Sequence, residues 1–250
     1  MGKKDIRINL VIEALKATPN ISVKDLAKKY IISQMTIRRD LDYIRKNGLL
    51  NTSKPYIDIK SDYMFSNEQI KHYEQKEAIA QYAVTLINPE DVIIIDSGTT
   101  TSVLSKLIPE DINITAICYN FQVLNQLRTK PNISIIFAGG YYHPSDQMFE
   151  SAEGVSLIQR IRANKMFVSA SGIHKELGMT CANNYEVVTK RSGLNSSYLK
   201  ILLADSSKFG TIKQGYFAQL NDIDIIVTDN DLSNDWRQFI AVQGIKLHIV

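Results

Sequence analysis

Val92-Ile93-Ile94-Ile95-Asp96-Ser97-Gly98-Thr99-Thr100-Thr101 is the stretch on which the fold turns. Four consecutive branched apolar residues predict a strand buried on both faces, because a strand with one wet face alternates instead. The run stops at Asp96, Ser97-Gly98 supplies a turn, and the threonines open a helix over about residues 100–107. A glycine turn opening a helix brings free backbone N–H groups and hydroxyls to one point, which suits a phosphate. Ordinary Ser/Thr capping explains the same residues equally well. The stretch has neither the Walker ending nor the three-glycine dinucleotide fingerprint.

Outward from this stretch the alternation repeats. A helix at 76–87 precedes it; a strand at 112–118, a helix at 119–129 and the strand Ile133–Phe137 follow. Gly139-Gly140 then breaks the chain into a polar loop. A helix near 152–162, a strand at 165–170, a helix near 184–195 and strands at 199–204 and 223–227 come next, closed by a helix (233–243) and a strand (245–249). Apolar strands separated by helices predict an α/β body with a parallel sheet covered on both faces, its ligand site at the carboxyl ends of the strands. Four polar clusters fall at those ends: Asp96 through Thr101, Gly139-Gly140-Tyr141, Ser169-Ala170-Ser171-Gly172, and Asp205 through Gly210. Lys208 offers the countercharge for a phosphorylated ligand on Ser97, Gly98, Thr99, Thr100 and Thr101. His72, His143, His174 and His248 are scattered and Cys118 and Cys181 form no pair, so neither a metal nor a cofactor is expected.

The first sixty residues read differently. Ile6, Leu10, Val11, Ala14 and Leu15 lie at helical spacing over 6–17, and Pro19-Asn20 ends that segment. Ser22 is placed to cap a short helix at 23–29, with Asp25 three residues on. Ser33 is placed to cap a third helix with Ile37, Leu41 and Ile44 on one stripe. Short helix, tight turn and longer basic helix make a helix-turn-helix. With that stripe inward, Met35, Arg39 and Lys46 point outward, flanked by Gln34, Thr36 and Arg38. The arginines suit guanine edges or phosphates and Lys24 suits a phosphate, which marks double-stranded DNA as the partner. The turn Tyr30-Ile31-Ile32 lacks the usual glycine; a positive φ at Ile31 would strain a β-branched residue. Leu49-Leu50 and Tyr56–Ile59, around Lys54-Pro55, predict a two-stranded wing. The organisation is therefore a head at 1–58, a linker at 59–75 and a body at 76–250.

Charge agrees with this division. The 250 residues carry a net of +3, but residues 1–60 hold 13 Lys and Arg against 6 Asp and Glu, a net of +7, and the remainder is −4. A basic head on an acidic body fits a polyanion-binding module joined to a separate sensor. Hydrophobic content of 44% and charged content of 22% exclude a wholly disordered or coiled-coil chain. No run approaches the ~18 apolar residues of a membrane span. The N-terminus lacks a signal-peptide pattern, so a cytoplasmic protein with no membrane partner is expected.

Ser33-Gln34-Met35-Thr36-Ile37-Arg38-Arg39-Asp40-Leu41 resembles the recognition helix of the DeoR family of bacterial transcriptional repressors. Lys76-Glu77-Ala78-Ile79-Ala80, Asp96 through Thr101, Gly139-Gly140 and Asp205 through Gly210 resemble the landmarks of its effector domain. The resemblance implies a winged helix-turn-helix repressor of a sugar or nucleoside catabolic operon. Its body would resemble ribose-5-phosphate isomerase and bind a sugar phosphate, such as deoxyribose-5-phosphate, as inducer. Carried over by position, Ser97 through Thr101 would hold the phosphate, and Asp96, Glu186, Asp205 and Lys208 would contact the sugar or line its pocket. Gly139, Gly140 and Ser171 complete the candidate effector residues. Ser171 stands where many relatives carry an acid; a hydroxyl of very high pKa argues against isomerase chemistry. Two departures from the family pattern therefore stand out: this serine, and the wing ending Asn51-Thr52-Ser53-Lys54-Pro55. The competing reading is a sugar-phosphate isomerase or aldolase-like enzyme with a basic appendage, using Lys208 as its amine. Symmetric operators imply at least a homodimer.

Overall fold

The computed structural model of the chain describes residues 3–17, 23–46 and 71–250. The chain divides into two compact units, Met1–Lys60 and Ser61–Val250. The expected wing, the Ser22 cap and most of the expected linker lie outside the described residues.

In the first unit α1 (Lys3–Ala17), α2 (Val23–Tyr30) and α3 (Gln34–Lys46) close a core of their own. Ile37, Leu41 and Ile44 are buried along α3, as its stripe predicts. On α1 the expectation needs correcting: Leu10 is 46% exposed, while Ile8 and Ile12 join Val11, Ala14 and Leu15 inside. Apolar residues fall all round this helix, so spacing alone could not choose its inner face. Arg7 and Asp40 add a polar link on the α3 side. The Arg7 guanidinium donates through Nε to Asp40 Oδ2 and through Nη2 to Oδ1 at 2.8 Å, pinning α1 to α3. Tyr30 Oη adds a bond from α2 to the Leu10 carbonyl, 3.0 Å.

The second unit is an α/β body. Its elements are α4 (Tyr73–Val84), β1 (Val92–Ile95), α5 (Thr99–Leu107), β2 (Ile114–Cys118), α6 (Phe121–Leu127), β3 (Ile133–Phe137), the hairpin β4 (Tyr141–His143) and β5 (Met148–Glu150), and α7 (Ala152–Arg160). There follow β6 (Ala163–Val168), β7 (Gly172–His174), β8 (Gly178–Cys181), α8 (Glu186–Ser196), β9 (Ser197–Leu203), β10 (Gly215–Ala218), β11 (Ile225–Thr228), α9 (Asn234–Val242) and β12 (Lys246–Ile249). The main sheet is ordered β12-β11-β9-β6-β1-β2-β3, and every pairing in it is parallel. Alternate residues of the central strands feed two cores: Ile93 and Ile95 pack with Ile79, Leu104 and Val123 on one face, Ile94 with Ile158, Leu194 and Ile240 on the other. Burial on both faces is why these strands read as unbroken apolar runs.

Three departures from the expected pattern bear on the site. Helix α4 begins at Tyr73, inside the stretch read as linker. The polar loop after Gly139-Gly140 is the hairpin β4–β5, and β7, β8 and β10 form a separate antiparallel sheet. Gly140 permits the hairpin: its φ is 147°, and a Cβ there would lie 2.2 Å from the Glu150 carbonyl oxygen.

Candidate functional site

The strand order reverses beside β1. From there the chain builds outward through β2 and β3, then crosses back to lay β6 on the other side and continues through β9, β11 and β12. In open α/β sheets the ligand crevice forms at such a switch point, outside the carboxyl ends of the strands. Asp96 and Ser169 are the first residues past β1 and β6, and they meet there.

Asp96 is wholly buried and gathers four donors. Tyr119 Oη reaches Oδ1 at 2.6 Å; Oδ2 accepts from Ser169 N and Ser169 Oγ, both at 2.8 Å, and from Lys190 Nζ at 2.5 Å. Lys190, also wholly buried, donates to the Ser169 carbonyl at 3.1 Å and stands 3.9 Å from Glu186 Oε2. Burial opposes the charge on Lys190, but Asp96 and Glu186 outweigh it and raise its pKa above the ordinary value. Glu186 accepts from Asn183 N at 2.9 Å and Nδ2 at 3.2 Å. Burial pushes its carboxyl up to about 7 despite the pull of Lys190. Burial, then Asp96, drives the Tyr119 phenol well above its usual range.

The turn after Asp96 is built on Gly98, the N-cap residue of α5, which has no side chain to donate or accept. The helical ladder begins with Ser102 N to Gly98 O, 2.9 Å, so the N–H groups of Thr99, Thr100 and Thr101 precede it. The hydroxyls do not all face a ligand. Thr101 is wholly buried and its Oγ1 points at the Asp96 and Gly98 carbonyls, 2.7 and 3.0 Å away. Thr100 is buried, Thr99 half-buried, and Ser97 Oγ lies 3.6 Å from Met148 Sδ on the hairpin. What this turn can offer an anion is backbone N–H groups and the positive end of a helix.

The remaining candidates are spread along the same edge. Asp205 is 1% exposed; Ser207 N and Oγ donate to its Oδ1, while Oδ2 has no partner among the described residues. Lys208 follows, half-buried, in a single 3-10 turn, so Lys208 and the Gly98 turn flank the carboxyl end of β6 from β9 and β1. Gly139 O accepts from Ser151 Oγ at 2.7 Å, and Ser171 N donates to Thr180 O at 2.9 Å, tying the small sheet to the edge. The hairpin is clasped to α8 by a 3.6 Å stack of His143 on Tyr185 and by Tyr185 Oη donating to Asp146 at 2.9 Å. Lys190 and Tyr119 were missed from the sequence. The spacing of Glu186 and Lys190, four apart on one helix, was the available signal.

In the head, Ser33 caps α3: Thr36 N donates to Ser33 Oγ at 3.1 Å, and the two hydroxyls lie 2.9 Å apart. Thr36 is half-buried, and Arg39 is exposed, as are Lys28 and Lys29 on α2. The side chains of Lys24, Gln34, Met35, Arg38 and Lys46 lie outside the described ones. Among the described residues no group of His, Cys, Asp and Glu is placed to hold a metal, and no helix is long and apolar enough to cross a membrane.

A basic helix-turn-helix in one chain with an α/β body whose polar groups converge at a sheet switch point is the make-up of a ligand-responsive transcriptional regulator. The chain belongs to the DeoR family: residues 7–52 match the DeoR-like helix-turn-helix domain and residues 71–230 the DeoR C terminal sensor domain. It is 29% identical over 255 residues to the deoxyribose operon repressor of Escherichia coli, covering 98% of each chain. It is 31% identical to the HTH-type transcriptional regulator GolR of Listeria innocua, covering 91% of each, and 29% identical to IolR of Bacillus subtilis, covering 98% of this chain and 99% of that one. Among solved structures, ribose 5 phosphate isomerase A from Neisseria gonorrhoeae aligns with 56% of the chain and 53% of its own, at 15% identity and a TM-score of 0.41. By its two family domains the chain is a DNA-binding repressor of transcription with a C-terminal sensor domain, not an enzyme.

Proposed function

We propose that the chain represses a sugar or nucleoside catabolic operon and leaves its operator when a phosphorylated sugar fills the crevice at the switch point. The observation that carries this reading is the first turn of α5, where a side-chain-free N-cap leaves helix N–H groups at the carboxyl edge of the sheet. The unpartnered Asp205 Oδ2 supplies an acceptor for a sugar hydroxyl at the same edge. Deoxyribose-5-phosphate is the first candidate inducer, from the full-length similarity to a deoxyribose operon repressor. For induction the sugar phosphate must bind the DNA-free state better, since equal affinity shifts nothing; a coupling of roughly 1–3 kcal/mol makes the difference about 5- to 150-fold. Symmetric operator half-sites call for a homodimer at least.

A gel-shift titration tests this with the promoter DNA of the chain's own operon and a panel of pentose and hexose phosphates. Deoxyribose-5-phosphate is expected to weaken the complex at least fivefold. Release by a different sugar phosphate replaces the inducer and keeps the mechanism. Release by none of them overturns it.

A further inference from the structure

The buried pair Asp96–Lys190 is more costly than its place in a core requires. Taking a carboxylate and an ammonium out of water is expensive, and replacing such a pair by apolar residues is often neutral or stabilising. Its value therefore lies in geometry. Lys190 donates both to Asp96 and to the Ser169 carbonyl, while Asp96 holds Ser169 by its N–H and hydroxyl. These bonds join α8, β1 and β6 at the place where the strand order reverses. Ser169 in turn walls the Gly98 turn: a Cβ on Gly98 would lie 2.3 Å from Ser169 Oγ. The position of Ser169 thus fixes where the first turn of α5 presents its N–H groups.

We propose that Lys190 is a positioning residue for the effector: through Asp96 and Ser169 it holds the Gly98 turn in the shape that receives the anion, without touching the anion itself. The inference rests on the effector reading above and adds the residue that sets its geometry. Wholly buried, Lys190 has no open face for a ligand.

Calorimetry on the full chain decides it, using inorganic phosphate, ribose-5-phosphate and deoxyribose-5-phosphate on wild type, Lys190→Met and Lys190→Arg. Lys190→Met is expected to weaken all three anions by the same factor, at least tenfold, and Lys190→Arg to return them to within threefold. Should Lys190→Met fail to fold, the charge-neutral pair Asp96→Asn with Lys190→Met takes its place, with the same loss expected. A folded variant that melts earlier yet binds as wild type overturns the proposal, because the pair then serves stability alone. A loss confined to the two sugar phosphates also overturns it, because Lys190 then meets the sugar. If a different sugar phosphate releases the operator, it joins the three as a probe; if wild type binds none of them, the effector reading falls first and this inference with it.

Discussion

Ile31 adopts φ 53° between α2 and α3 while 94% exposed, so a β-branched residue occupies the left-handed region with no burial to offset the strain. The conformation closes α2: Ile32 N reaches Ala27 O at 2.9 Å and Ile31 N reaches Lys28 O at 3.4 Å, the paired bonds of a helix end that glycine favours. Ile31→Gly is therefore expected to stabilise the head by roughly 1 kcal/mol, seen as a later head transition in a urea melt of the full chain. Glu186 gives a second prediction. Its folded pKa, about 7, stands above the ordinary 4.5, so between those values the unfolded chain releases a proton that the native state keeps. Stability then falls as pH rises through that window and levels off above it. Glu186→Gln removes the penalty, on the order of 3 kcal/mol. The variant should melt later than wild type at pH 8 and alike near pH 4; equal melting at both would refute the assignment.

Elements differ in how much of them was legible. Among the parallel strands β1 and β11 announced themselves most plainly, because burial on both faces forces near-continuous Val and Ile, and α3 did so because one stripe faces one core. The hairpin β4–β5 and the small antiparallel sheet did not. Their strands are three or four residues long and carry His143, Glu150 and glycines. They are held by contacts remote in sequence, such as Phe149 N to Tyr119 O at 2.7 Å. The phosphate-shaped turn was legible from residue types; its brace was not, because a lysine on a helix reads as surface until the fold buries it beside Asp96. Asp40 was hidden in the same way, an acid in a basic helix that proves to be 1% exposed. Asp40→Ala should cost the α1–α3 contact about 2 kcal/mol, the scale of hydrogen bonds to charged groups. It should also weaken operator binding by misplacing α3. Hydrogen exchange along α1 would register the first effect, and unchanged protection there would count against it.

At the scale of the whole molecule, charge is partitioned with function: +7 in the first sixty residues, −4 in the rest. Arg39→Ala should weaken operator binding by about 1–3 kcal/mol while sugar-phosphate affinity stays unchanged. Titration at two salt concentrations separates its modes of contact. A base contact alters sequence preference, whereas a phosphate contact lowers the salt slope by about one. The apolar cluster that closes the head is assembled from residues between Ile8 and Ile44. Each unit of the polypeptide therefore carries its own interior into any recombination event. A crossover near Lys60 hands a new genomic address to an old metabolite detector without rebuilding either, so a lineage of such proteins can diversify by exchange as readily as by point mutation.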